Sequence, residues 1–518
     1  MTPIRKLTVL ALLGSLVPTV ALIVLTFMQT NGVWEYALDD VYIHLAMSEQ
    51  IAKGGYGVND GEFASASSSI LYSYLLVPFA GSGFHVYWPL MLGLIGAAIG
   101  AVLWAQVIGR AWGQASSDVM DKMLLILAGL GPIVLHFNAM SLIGMEHMLH
   151  IVVTLLALIG LIDFAKTGRV GWMLVLGLVL NPVLRFEGMA IAFLGCCVVF
   201  FGGKRAAAPT ILALALAPLV AHFWLMGQLG LDMLPNSVNA KAAITGGGQT
   251  PDGAAKTDRL AKMSFTLLTA VASPSGRALI IGIFVVIISL LLARKQIAGR
   301  LRLLGWMMVL AAMVHVLLGL TVEFYRYEVY VWTFMVGAGV YLLATLRFSS
   351  ASLGKMLPVL FTIGVVYGGV HYPISAFRDV PGGGAAIHAQ QRQMGLFVDN
   401  HWKAPVAVND LGHVAYDNPY YVLDLWGLAS SDALEARLRG DDPLWADKLA
   451  QKYDVGAAMV YWNWLHDHIP AHWVAVATLD LTIPRATLGG DQVTFYATRP
   501  ESVARLRTAL QGFALELP

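Results

Sequence analysis

Apolar segments long enough to cross a lipid bilayer follow one another along the first 372 residues of the chain. Because a helix needs about 20 predominantly apolar residues to span the hydrocarbon core, each such segment predicts one transmembrane helix. The pattern predicts about eleven spans, near residues 7–28, 87–109, 123–141, 147–164, 170–185, 188–203, 207–228, 278–294, 303–321, 329–346 and 355–372. A shorter apolar stretch, 69–79, follows a serine-rich run and contains Pro78, so we expect it to be an interfacial helix.

The polar residues between these segments form clusters of two alternating kinds. One kind is basic: Arg5-Lys6, Arg110 with Lys122, Lys166 with Arg169, Lys204-Arg205, Arg294-Lys295 with Arg300 and Arg302, and Arg347 with Lys355. The other kind mixes acids, amides, His and basic residues: Asp39-Asp40, Glu146-His147, Arg185 with Glu187, Asn236 with Asn239 and Lys241, and Glu323 with Arg326. Since Lys and Arg mark cytoplasmic loops, we expect a cytoplasmic N-terminus and an external C-terminus. The mixed clusters then gather on the outer face, where they could build one site.

The chain is predicted to have two parts. Residues 1–372 form the transmembrane part, with long outer loops at 29–85 and 229–276, and the first loop carries an amphipathic segment, 41–51. After residue 372 the composition changes to that of a soluble α/β domain, 373–518, of ordinary domain size. Short runs typical of strands occur there at 404–409, 421–424, 455–461, 473–479 and 493–497.

Composition narrows the class of protein. Apolar residues make up 57% of the 518 residues and charged ones 13%, which indicates an integral membrane protein, and a net charge of +1 argues against nucleic acid as a partner. The first apolar segment lacks a small-residue cleavage site and is expected to be a retained signal anchor. The adjacent Cys196 and Cys197 lie in an apolar stretch and are interpreted as packing or lipid-facing residues, with no disulfide or metal site.

Asp39 and Asp40 are the first candidates for chemistry, because two adjacent carboxylates at a membrane surface raise each other's pKa. One interpretation is structural: Asp40, preceding the amphipathic segment, would cap the free N–H groups of a helix. The other is functional: a general base beside a neighbour that orients the substrate or binds a metal.

A family resemblance favours the functional interpretation. The string LDDVYIHLAMSEQIAKGGYGVN, followed by a serine-rich turn and an apolar helix, resembles the first loop of GT-C glycosyltransferases, polytopic enzymes that use polyprenyl-phosphate sugars. The chain is most similar to the arabinofuranosyltransferase B-like branch, whose loops read DDAYI, GMET, RPEG and PNTFYAK. The corresponding segments are DDVYI at 39–43, GME at 144–146, RFEG at 185–188, PNSVNAK at 235–241 and RY at 326–327.

These matches are colinear over residues 35–330, so that five weak motifs together make a strong one. Three positions depart from the family pattern: His147 replaces Thr, Phe186 replaces Pro and Asn239 replaces Tyr. The departures bear on which sugar or acceptor is used.

The resemblance implies an inverting transfer on the outer face of a bacterial cytoplasmic membrane, in which an acceptor hydroxyl displaces polyprenyl phosphate from the anomeric carbon. It implies Asp39 as the base, while Asp40 orients the site or binds a divalent cation; no other cofactor is expected. Lys241 and Arg326 are the leading phosphate ligands, with Arg185 third, since cationic side chains suit phosphate. Substrate contacts are expected from Tyr42, His44, Glu146, His147, Glu187, Asn236, Asn239 and Tyr327. The implied partners are a polyprenyl-phosphate sugar donor, a glycan or protein acceptor and membrane lipid.

Other interpretations stay open. Arg185 and Glu187 could simply pair with a neighbouring helix, and the aromatic residues of the C-terminal part, such as Tyr416 and Trp464, could form a core or contact a glycan. In the same part Asn409, Asp410, Asp424 and His466 could line a cleft. A lipid or glycan transporter or flippase is the main alternative function. It predicts charges near mid-membrane and internal repeats, which the sequence does not show.

Overall fold

The computed structural model describes residues 3–114, 118–236, 259–293, 298–319, 321, 326–346 and 351–515. Seven helices among them are long and apolar enough to cross a membrane: Pro3–Gln29, His85–Trp112, His147–Thr167, Ala207–Gln228, Pro274–Leu292, Gly299–Leu318 and Met356–Trp402, the last in several consecutive pieces. The structure thus agrees with the prediction of a mostly helical chain with several helices of membrane-spanning length and composition.

The other four predicted spans also fall on helices, but these are shorter. They are Asp118–Val134, Trp172–Leu184, Met189–Phe201 and Val329–Thr345, of 13 to 17 residues. The second and third of them are separated at Arg185, whose backbone is extended (φ −149°, ψ 139°), and by a 3₁₀ turn, Phe186–Gly188. The short segment 69–79 is helical from Tyr72 to Leu76 and continues as a 3₁₀ turn, Val77–Phe79.

By its contacts the chain divides into two compact units, each of which is described by itself. The first contains the described residues of Met1–Val24, Leu90–Ala221 and Lys262–Arg378, and the second those of Leu25–Pro89, His222–Ala261 and Asp379–Pro518. The second unit thus combines the predicted first outer loop with the C-terminal part of the chain. The division of the chain into domains 1–372 and 373–518 stays a prediction.

The first unit is a helical assembly around His147–Thr167, 89% of whose most apolar window is buried. The neighbouring helix Trp172–Leu184 approaches it closely at two glycines. A Cβ on Gly160 would lie 2.4 Å from the Leu174 backbone, and one on Gly177 would lie 2.3 Å from the nitrogen of Ala157. Small residues at such positions let helix backbones pack directly, which is the usual means of association between apolar helices.

The second unit is built on a five-stranded sheet of order β2-β1-β3-β5-β4. Its strands are β1 Val406–Val408, β2 Val422–Asp424, β3 Ala457–Val460, β4 Val474–Asp480 and β5 Gln492–Ala497. β1 is parallel to β2 and β3, whereas β5 is antiparallel to β3 and β4. Each strand lies within or overlaps one of the predicted runs, so the C-terminal α/β prediction agrees with the structure.

The second unit also contains the following helices. Their bounds are Asp40–Ala52, Tyr72–Leu76, the second half of His371–Ala389, Gln391–Phe397, Gly412–Ala415, Ser431–Arg439, Trp445–Lys452, Trp462–Leu465 and Ser502–Ala514. One continuous core includes Met47 and Tyr56 from the first loop together with Phe397 and Phe495. Helix Asp40–Ala52 is therefore buried over most of its surface, rather than on the single face that its amphipathic pattern predicts.

Candidate functional site

In the first unit, three of the sequence motifs converge on Arg185. Its Nη1 donates to Glu146 Oε1 at 2.6 Å and lies 3.0 Å from His147 Nε2, and its Nη2 donates to Glu187 Oε1 at 2.8 Å. Since a guanidinium only donates hydrogen bonds, His147 Nε2 is the acceptor in this pair. We call Glu146, His147, Arg185, Glu187, Arg326 and Tyr327 the Arg185 cluster.

The backbone conformation at each motif accounts for its glycine and for the position of its charged residue. Gly144 has φ +70°, a left-handed conformation that favours glycine, and it turns the chain so that Glu146 precedes helix His147–Thr167. Arg185 stands in the extended break before the turn Phe186–Gly188, which carries Glu187. A Cβ on Gly188 would lie 2.4 Å from the carbonyl oxygen of Asn181, so there is no room for a side chain at the glycine that ends the RFEG motif.

Tyr327 joins the second arginine to the cluster. Its ring centroid lies 5.3 Å from the guanidinium carbon of Arg185 and 5.2 Å from that of Arg326, and its hydroxyl is 3.3 Å from Arg326 Nη2. Glu146, Arg185 and Arg326 are 0%, 6% and 5% exposed. Two guanidinium groups and the carboxylate of Glu146 are thus buried together, while Glu187 is one-third exposed at their side. Burying charges in this way costs desolvation unless they are paired.

Six predicted site residues therefore meet in one place: Glu146, His147, Arg185, Glu187, Arg326 and Tyr327. The alternative, in which Arg185 and Glu187 pair with a neighbouring helix, agrees with the structure for Arg185, which binds Glu146 at the start of helix His147–Thr167. Glu187 binds Arg185 itself. Among the predicted phosphate ligands, Arg185 uses its two terminal nitrogens on protein acceptors.

In the second unit, Asp39 lies beside the C-terminal part of the chain. Its Oδ2 accepts from Gly412 N at 2.6 Å and its Oδ1 from His413 N at 2.9 Å. The carboxyl group of Asp410 is its neighbour, and Asp410 Oδ2 in turn accepts from Gln391 Nε2 at 2.9 Å and Tyr461 Oη at 3.3 Å. Burial raises the pKa of Asp39, and the charge of Asp410 raises it further. The pKa of Asp410 is raised as well, first by its burial.

The helix-cap interpretation of this pair is wrong. Asp40 is the first residue of helix Asp40–Ala52, one position too late to cap it, and Asp39 at the cap position makes no side-chain capping bond. The carboxylate of Asp39 turns instead to the backbone of Gly412 and His413. Asp40 is half-buried, and the described residues contain no group of three or more His, Cys, Asp or Glu side chains that could hold a metal ion. A divalent cation at Asp40 stays a prediction.

Sequence reasoning missed Glu35. This carboxylate accepts from Tyr42 Oη at 2.6 Å and from Arg392 Nη1 at 2.9 Å, while His388 Nδ1 and His413 Nε2 lie 3.5 and 3.6 Å away. Burial alone would raise the pKa of Glu35, but hydrogen bonds from the two histidines and from Tyr42 lower it well below its usual range. A single acid between Trp34 and Tyr36 carries no motif, and apart from Tyr42 its partners lie far along the chain.

The remaining predicted residues are placed as follows. His44 is buried, with its Nδ1 3.0 and 3.2 Å from the hydroxyls of Ser73 and Ser67, which indicates a role in packing the first loop. Asn236 N donates to Ser65 O at 2.9 Å, and its side chain lies 3.4 Å from Ser431 Oγ. Asn239, Lys241 and Glu323 lie outside the described residues.

Comparisons with known proteins give three results. A protein-family profile, described as a domain of unknown function (DUF8728), matches residues 385–496, in the C-terminal part of the chain. A search of curated proteins finds no match. Among solved structures, the crystal structure of the Archaeoglobus fulgidus oligosaccharyltransferase in the apo form is similar over 88% of this chain and 69% of that chain, with 14% identity and a TM-score of 0.49.

Proposed function

We propose that this protein is an inverting GT-C-type glycosyltransferase of the cytoplasmic membrane, which moves one sugar from a polyprenyl monophosphate to an acceptor outside the cell membrane. The observation that carries the proposal is the Arg185 cluster. Three short motifs of that family, separated by up to 180 residues of sequence, meet there in one buried network. Structural ion pairs alone do not require the GME, RFEG and RY strings together.

The chemistry assigns different roles to the two arginines. Arg185 binds Glu146, His147 and Glu187, so we propose that it organises the cluster. Arg326, placed against the same tyrosine ring, is then the leading ligand for the phosphate of the donor, since guanidinium groups bind phosphate through charge-assisted hydrogen bonds. Lys241 is proposed as a second phosphate ligand from the family motif.

Asp39 is proposed as the general base. A base works best when its pKa lies near the operating pH, and burial beside Asp410 moves the pKa of Asp39 in that direction. Each of its oxygens accepts one backbone N–H and the group shares a further hydrogen bond with Asp410, which leaves one carboxylate lone pair for the acceptor hydroxyl. For the sugar we propose a pentofuranose, arabinofuranose first, on the resemblance to the arabinofuranosyltransferase branch. The acceptor is a cell-envelope glycan, a lipid-linked glycan or a surface protein.

The test is transfer by the purified full-length protein in nanodiscs. Synthetic polyprenyl-phosphate sugars are supplied, arabinofuranose first, and released polyprenyl phosphate and the mass gain of an acceptor panel are measured. We expect Asp39→Asn to lower the rate by about 10²–10⁴-fold, the usual contribution of general base catalysis. Asp60→Asn is the matched control: Asp60 lies in the same loop, is 73% exposed and should leave the rate unchanged.

A second variant addresses the Arg185 cluster. Arg185→Lys keeps the charge but cannot reproduce the planar fork that holds Glu146 and Glu187, so we expect at least a tenfold loss of transfer in a folded protein. Turnover that survives Asp39→Asn would remove Asp39 from the role of base. Absence of release from every donor tested would overturn the proposed function and make lipid transport the next activity to measure.

A further inference from the structure

The second unit contains a cavity of about 460 Å³, and Tyr42 is the predicted substrate contact that lines it. Its volume lies within the usual range for small-molecule sites and is large enough for one or two sugar rings. Aromatic side chains form much of its wall: Trp34, Tyr42, Tyr87 and Tyr416. The C–H face of a sugar ring is apolar and packs on such surfaces, whereas its hydroxyls need polar partners.

Two buried polar atoms in the wall lack a partner. Trp34 is 2% exposed, and among the described residues its Nε1–H finds no acceptor. The Oδ1 atom of Asp399 is also buried, and no donor for it is found among the described residues. Buried polar groups are nearly always hydrogen-bonded, and these two atoms belong to residues of the cavity wall, so a ligand group that both accepts and donates would match them. A hydroxyl group does both.

The charge of the wall limits the ligand further. Four carboxyl groups line the cavity, those of Glu35, Glu49, Asp399 and Asp417, against one arginine, Arg392, which already donates to Glu35. This excess of acids would repel a phosphate or a uronic acid. The carboxylate of Glu35 is itself satisfied by Tyr42 and Arg392, and that of Glu49 accepts from Asp417 N and lies 3.6 Å from His85 Nδ1. These two acids therefore hold the wall in place rather than attracting a cation.

His413 links the cavity to Asp39. Its backbone N–H donates to Asp39 Oδ1, while its ring lines the cavity and lies 3.6 Å from Glu35. A ligand in the cavity therefore occupies a site built on the same residues that hold the proposed base.

We propose that this cavity binds a neutral sugar residue of the acceptor glycan. That the sugar belongs to the acceptor rests on the proposed function; that the cavity binds a neutral sugar rests on its wall alone.

The experiment is saturation-transfer NMR on the full-length protein in nanodiscs, without any donor. The probes are lactose, maltose and mannobiose as neutral sugars, with glucuronic acid and glucosamine as charged ones. We expect saturation to be transferred from the protein to at least one neutral disaccharide, and to a lesser extent or not at all to glucuronic acid. Tyr87→Ala should reduce the affinity at least tenfold, whereas Tyr74→Ala should not; the two tyrosines are 37% and 38% exposed, and Tyr74 does not line the cavity.

Trp34→Phe provides the second variant, because it keeps an aromatic ring and removes the N–H donor. Loss of one neutral hydrogen bond predicts about a threefold to tenfold weaker affinity. Absence of binding by every neutral sugar would overturn the proposal, and so would binding that neither variant changes. Glucosamine bound more tightly than the neutral sugars would overturn the assignment of a neutral ligand. The binding assay contains no donor, so its result does not depend on transfer. Sugar binding by a protein that is inactive in the transfer assay would support the proposed cavity and reject the proposed transferase function.

Discussion

Asp39 and Asp410 place two acidic groups side by side in the second unit, and this has a measurable consequence. An acid whose pKa is raised on folding stabilises the fold at low pH, and the contribution is lost as the pH rises through the raised value. Both carboxyl groups have raised pKa values, first through burial. The unfolding free energy should therefore fall as the pH rises above about 4, where an unfolded aspartate titrates.

We expect the apparent melting temperature of the wild type to fall between pH 5 and pH 8, and the fall to be flatter in Asp410→Asn. The amide still accepts from Gln391 and Tyr461 but no longer repels Asp39. One proton is worth about 1.4 kcal/mol per pH unit, which sets the upper limit of the difference. Thermal unfolding of both proteins in detergent across this range measures it, with Asp467→Asn, 78% exposed, as the control. Identical slopes for all three proteins would contradict the coupling.

The pH window also separates this pair from Glu35. The pKa of Glu35 is lowered on folding, against the effect of burial, so its contribution is present above the unfolded value and is lost as the pH falls through its lowered value. That loss begins below about pH 4.5, outside the range proposed for the aspartates.

The residues of the Arg185 cluster could be predicted from the sequence because they belong to short motifs. Glu146, Arg185 and Tyr327 belong to short strings whose spacing carries a signal. Asp410 was recognised as a candidate for a cleft, but nothing in the sequence connects it with Asp39, because the backbone groups that hold Asp39 lie 373 residues away. Contacts between distant segments depend on the fold, which a single sequence does not specify locally.

At the scale of elements, the contact between the start of helix Asp40–Ala52 and the short helix Gly412–Ala415 positions the proposed base. A Cβ on Gly412 would lie 2.1 Å from the carbonyl oxygen of Asp39 and 2.6 Å from its Oδ2. An alanine there must displace the short helix, and both backbone hydrogen bonds to Asp39 would lengthen or break.

We expect Gly412→Ala to lower stability by about 1–3 kcal/mol, the usual cost of overpacking, and to reduce transfer at least tenfold. Gly227→Ala is the matched control: it lies in helix Ala207–Gln228 with open space around its Cα, so it should leave transfer unchanged and should not lower stability. Melting temperature and initial transfer rate are measured for both variants. A Gly412→Ala protein with normal transfer would show that this contact does not position Asp39 for catalysis.

The positions of the helices along the sequence were predicted well, whereas the contacts that bury them were predicted less well. Apolar length located every predicted span on a helix, because the bilayer imposes a simple requirement on composition. The helix break at Arg185 was anticipated as a boundary between spans, but its extended backbone was not. The amphipathic pattern of 41–51 predicted one buried face, whereas the fold buries most of helix Asp40–Ala52 through contacts with the C-terminal part of the chain.

For the whole molecule, the distribution of charge predicts an orientation. Basic clusters such as Lys204-Arg205 are expected in the cytoplasm, and the C-terminal part of the chain outside. The proposed function requires this orientation, because a polyprenyl-phosphate donor used on the outer face must meet the acceptor there. An inverted protein would present its candidate residues to the cytoplasm.

Cysteine labelling tests the orientation directly. In a background with Cys196 and Cys197 replaced by alanine, Lys204→Cys and Asp467→Cys place single thiols at exposed positions. A membrane-impermeant maleimide added to right-side-out vesicles should label Asp467→Cys at least tenfold faster than Lys204→Cys, and inside-out vesicles should reverse the order. The reverse pattern would mean an inverted protein. Equal labelling of both thiols from one side would mean that an odd number of predicted spans between them does not cross the membrane, and the short helix Val329–Thr345 would be the first to re-examine.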